Sequence, residues 1–76
     1  MSLLDTLTNR ERDVLTLLAQ GMKNKEIAVE LMLSPATIEN YTHNIFGKLG
    51  VPNRTTATIY ALTHGLTALP IERESF

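Results

Sequence analysis

Apolar residues recur along this chain at three- and four-residue spacing, in four groups separated by turn-forming residues. That spacing places them on one side of a helix. Val14, Leu15, Leu17 and Leu18 make the first stripe. Thr8 followed by Glu11 is a capping box and Gly21 a helix stop, so the pattern predicts a helix from about Asn9 to Gln20. A shorter one is predicted from about Lys25 to Leu31, capped by Asn24, with Ile27, Ala28 and Leu31 inward and Met32-Leu33 as the turn. Ser34-Pro35 then opens a third helix that runs to Gly50. Val51-Pro52-Asn53 breaks the chain. Asn53 caps a fourth helix from Arg54 to about His64, stopped by Gly65. No strand-like alternation of useful length appears. The expected fold is all-α, a compact four-helix domain.

The third stretch carries the most information. With Ile38 at zero on a wheel of about 100° per residue, Thr42, Ile45 and Leu49 fall within about 40° of it. Asn40, His43 and Gly47 fall within about 40° of the opposite pole, and Glu39 and Asn44 lie on the shoulders. The inner face is a core face. The outer face offers small polar side chains, which suit base edges in a DNA major groove about as wide as a helix. A helix entered through Ser-Pro straight after a tight turn also marks a helix-turn-helix.

Composition narrows the choice. At 76 residues, 43% of them hydrophobic, the chain makes one small domain with one modest core. It has no cysteine, so disulfides and thiolate metal sites are excluded and a reducing, cytoplasmic setting fits. No apolar run reaches the roughly 18 residues of a membrane span, and no secretory signal is visible. The net charge of −1 argues mildly against a nucleic-acid partner. The objection weakens locally: Lys23, Lys25, Lys48 and Arg54 fall in or around the helix-turn-helix, whereas Asp5, Asp13, Glu72 and Glu74 fall outside it. With so few cations, each protomer should bind DNA weakly, and two protomers on two half-sites would be needed. An enzyme is not expected, because His43 and His64 lie on different helices and no nucleophile, phosphate-loop or paired-carboxylate motif stands out. No metal or cofactor is implied.

The stretch from Leu7 to Leu66 resembles the LuxR-type DNA-binding domain of NarL/FixJ-like response regulators and quorum-sensing receptors. The likeness is carried in order by Leu7-Thr8-x-Arg10-Glu11, Val14-Leu15, Leu18-Ala19-x-Gly21, Asn24-Lys25-Glu26-Ile27-Ala28, Leu31-x-Leu33-Ser34, Thr37-Ile38, Asn44-Ile45-x-x-Lys48-Leu49-Gly50-Val51 and Arg54-x-x-Ala57. It implies a recognition helix at the third position and a fourth helix that pairs protomers. It implies base contacts from Glu39, Asn40 and His43, and phosphate contacts from Asn24, Lys25, Thr37 and Lys48. Pairing would use the side of the fourth helix that bears Ile59, Leu62 and Thr63, away from Ala57 and Ala61. Asn44 is expected to make structural hydrogen bonds rather than read bases.

Two positions depart from the family pattern. Glu39 stands where Lys or Arg is usual, and Tyr41 where His is usual. Glu39 either weakens DNA affinity by its charge or changes base preference, since a carboxylate accepts from cytosine N4. The resemblance further implies a longer regulator with an N-terminal signal-receiving domain. Residues 1–6 read as an N-terminal arm or cloning remnant, 7–66 as the DNA-binding domain and 67–76 as a C-terminal tail. The competing reading is a LuxR-like helical module that has lost DNA binding and docks on another protein. A sigma-factor-like promoter-recognition module is disfavoured by the match through the fourth helix.

Overall fold

The computed structural model describes residues 2–66, which form a 3-10 helix over Leu3–Thr6 and four α-helices. These are α1 (Asn9–Ala19), α2 (Asn24–Leu31), α3 (Pro35–Leu49) and α4 (Arg54–Thr63). No strand occurs among the described residues. The tail expected over 67–76 lies outside them.

The helix ends follow the capping chemistry, with small corrections. Thr8 Oγ1 accepts from Glu11 N at 3.1 Å, and Glu11 Oε1 accepts from Thr8 N at 2.8 Å, the two halves of the capping box. Asn24 is not the cap of α2. The helix begins on it, and Lys23 stands at the cap position, where its N–H is met by Glu26 Oε1 at 2.8 Å. Ser34 Oγ accepts from Thr37 N at 3.1 Å, Pro35 follows, and Gly50 ends α3 with φ of 69°. Asn53 Oδ1 accepts from Thr56 N at 2.9 Å. α1 and α4 each end one residue earlier than expected, with Gln20 and His64 as caps.

α1 packs against both α3 and α4, and α2 lies on α3. All four residues assigned to the inner face of α3, Ile38, Thr42, Ile45 and Leu49, are buried. Ile38, Ile45 and Leu49 meet Val14, Leu15 and Leu18 of α1, Ile27 of α2, and Ala57 and Ala61 of α4 in one cluster. Leu17 and Leu31, expected inside, are only partly buried. Residues 2–6 do more than an arm would: Leu4 is buried in the same cluster, and Leu3 N donates to the Tyr60 hydroxyl at 2.9 Å. The folded unit therefore takes in the 3-10 helix. The α2–α3 turn passes through Met32 at φ of 59°, the one non-glycine residue with positive φ among those described. Leu33 N, bonded to Ala28 O at 2.8 Å, closes it. This turn sets the angle at which α3 leaves α2.

Candidate nucleic-acid interface

α3 is held by its apolar face and by both ends, so its outer face has a fixed orientation. Glu39, Asn40 and His43 are all exposed. None of their side chains has a partner among the described residues. Gly47 continues this line one turn on, and a Cβ placed there would meet nothing within 4 Å. Beside it an open concavity of about 490 Å³ is lined by His43, Phe46, Gly47, Gly50, Val51 and Pro52. Asn44 departs from expectation: it is exposed and its amide bonds to no described residue, so it joins the outward set. Thr42, by contrast, satisfies its buried hydroxyl on Glu39 O at 2.8 Å.

The four residues expected at phosphates have different situations. Lys25 is exposed with its ammonium free of any described partner, and Lys23 beside it is the same. Thr37 shares a hydroxyl–hydroxyl bond of 2.9 Å with Ser34 at the start of α3. Asn24 Oδ1 accepts from Arg54 Nη2 at 2.6 Å, and its amide N–H groups have no described partner. Lys48 Nζ donates to Glu11 Oε1 at 2.8 Å and to Thr6 O at 3.3 Å. An ammonium has three donors, so Lys48 keeps one.

Two devices here escaped the sequence reading. Glu11 is not just a cap: it is 5% exposed, with its carboxylate shared between Thr8 N and Lys48. The hydrogen bond from Lys48 holds its carboxyl below the usual glutamate range, opposed by burial and aided by Thr8 N–H. Arg54 spans from α4 to the α1–α2 connection, donating to Met22 O at 3.1 Å as well as to Asn24. Both pairs are long-range in sequence, and periodicity carries no signal for them. The family pattern held all four residues but not who meets whom. The remaining surface pairs, Arg12–Asp5 at 3.3 Å and Arg10–Asp13 at 3.8 Å, neutralise both aspartates away from α3.

On α4, Ala57 and Ala61 face the core. Ile59 is 56% exposed, Thr63 is exposed and Leu62 is partly so. The three expected pairing residues thus lie off the core side. No helix among the described residues is long and apolar enough to cross a membrane.

A small helical domain with a tight turn feeding an outward-facing, end-capped third helix is a helix-turn-helix module. The signature of bacterial regulatory proteins of the luxR family matches residues 5–61, and the chain belongs to that family. It is similar to the response regulator Rre1 of Synechocystis, 47% identical over 60 residues, which are 79% of this chain and 26% of that protein. The solved structure of the transcription factor GerE matches with TM-score 0.74 and 35% identity, over 90% of this chain and 97% of that one. The VqmA dimer of Vibrio cholerae matches with TM-score 0.76 and 32% identity, over 84% of this chain and 30% of that one. The chain spans about a quarter of Rre1 and nearly all of GerE. The relatives it matches include transcriptional regulatory proteins and response regulators.

Proposed function

We propose that this chain binds double-stranded DNA sequence-specifically, as the effector domain of a bacterial transcription regulator. α3 lies in the major groove with Glu39, Asn40 and His43 against base edges. Lys25, Asn24 and Thr37, with the remaining donor of Lys48, sit along the phosphates on either side. The observation that carries this reading is the outer face of α3: successive turns of polar side chains, rigidly seated, with no internal partner. A polar surface built on the stiffest element of a fold, and used by nothing inside it, suits recognition of a ligand with a fixed pattern of donors and acceptors.

Two protomers act together, joined through Ile59, Leu62 and Thr63 of α4. The small number of free cations supports this, because affinity grows with phosphates neutralised and one copy neutralises few. VqmA, to which the chain is similar, is a dimer with a target DNA. The regulator works in the cytoplasm, and an N-terminal signal-receiving domain, as in longer response regulators, controls the module.

The test is a fluorescence-anisotropy titration of labelled duplex over a range of salt concentrations. Lys25→Ala should weaken binding to every sequence alike and lower the slope of log affinity against log salt by about 1 per contact. Glu39 and the sparse cations favour a second reading, a helical module that docks on protein. Absence of duplex binding at low salt would select it.

A further inference from the structure

We infer that Glu39 makes the domain select a C·G pair, with the cytosine amino group donating to its carboxylate. The inference rests on α3 being the base-reading helix. Glu39 has no task inside the protein. It stands beyond the first turn of α3, so it caps nothing, and its carboxylate meets no cation or N–H among the described residues. α3 itself supplies no fixed positive charge: its one lysine or arginine, Lys48, is bound to Glu11 at 2.8 Å, and His43, one turn on, makes no bond to the Glu39 carboxylate. The charge reaches the groove unneutralised, between two rows of phosphates, and only a donor on the DNA can offset it.

The base edges offer few such donors. A carboxylate is acceptor-only. Guanine presents N7 and O6 and thymine O4, all acceptors, which repel it. Adenine presents a donor at N6 but an acceptor at N7 beside it. Cytosine presents its N4 amino group with no acceptor alongside on the same base. Of the four edges, cytosine alone rewards a carboxylate without also opposing it. Asn40, the next residue, is exposed and unpartnered, and as an amide it both donates and accepts, which suits adenine. The two neighbours thus divide the available donors between them.

The experiment is selection from random duplexes at low salt with the 76-residue chain and two variants, Glu39→Gln and Glu39→Lys, each checked by circular dichroism for helix content. The wild type should enrich one C·G pair by about tenfold or more over other bases at that position. Glu39→Gln should shift that position toward adenine, because an amide donates as well as accepts. Glu39→Lys should shift it toward guanine and tighten binding overall. One common sequence enriched by all three proteins overturns the assignment to Glu39 while leaving DNA binding intact. No enrichment by any of them removes the DNA-binding reading itself, and this inference with it.

Discussion

The outer face of α3 and the seam between α1, α3 and the N-terminal turn carry similar residues, yet treat them in opposite ways. In the seam, Glu11 and Lys48 meet at 2.8 Å, and Thr6 O takes a second Lys48 donor. On the outer face Glu39, Asn40, His43 and Asn44 meet nothing described. A polar group that is withdrawn from water must find a partner, or it costs about 1–3 kcal/mol. Groups left in water have no such obligation. Polar residues with internal partners therefore hold the helix in place, and those without are free to bind. On α3 the distinction between seating the helix and reading bases runs through partnership, not residue type.

The comparison breaks first at the core beneath both regions. Ile45→Ala should cost about 2–5 kcal/mol, because a fully buried side chain under α3 is replaced by a cavity. Thermal melting measures it. A change near zero would mean that the core does not seat α3.

Next is the seam. Lys48→Ala strands the buried Glu11 carboxylate and should cost about 1–3 kcal/mol. It should also weaken binding to every duplex alike and lower the salt slope by about 1 per lost phosphate contact. The pH dependence sharpens this. Glu11 binds a proton less readily in the folded chain than in the unfolded one, where its value is about 4.5. Its contribution is present above that pH and is lost as pH falls through the depressed native value. Glu11→Gln removes this component. Between about pH 5 and pH 3 its melting temperature should fall less than that of the wild type. Equal losses for both proteins would show that the pair carries no linkage.

Smaller still in stability is Ile59→Glu on the exposed side of α4. It should leave melting within about 0.5 kcal/mol and abolish cooperative binding to two half-sites. Sedimentation on a two-half-site duplex decides. A wild type that remains one protomer per duplex would sink the pairing through α4.

The seating of α3 was legible in the sequence because period and capping are local properties: Ile38, Thr42, Ile45 and Leu49 declare one face, and Ser34-Pro35 and Gly50 declare the ends. The burial of Leu4 was not legible, since four residues of 3-10 helix hold too little periodicity to show a face. The Lys48–Glu11 and Arg54–Asn24 bonds were equally hidden. Each joins residues 30 or more positions apart, and only the packing angles of the helices decide that they meet. Asn44 misled for a related reason: a shoulder position on a wheel turns inward or outward according to what packs beside it, and here it is exposed.

The most direct test of the account is a paired titration of wild type and the double variant Asn40→Ala, His43→Ala on a selected duplex and a scrambled one of equal length. The account predicts that the variant loses its preference for the selected duplex, by about 1–3 kcal/mol per lost base contact. Its melting temperature and its binding to the scrambled duplex should stay as they are in the wild type. An undiminished preference in the variant would contradict the account, because the outer face of α3 would then not be what reads the DNA.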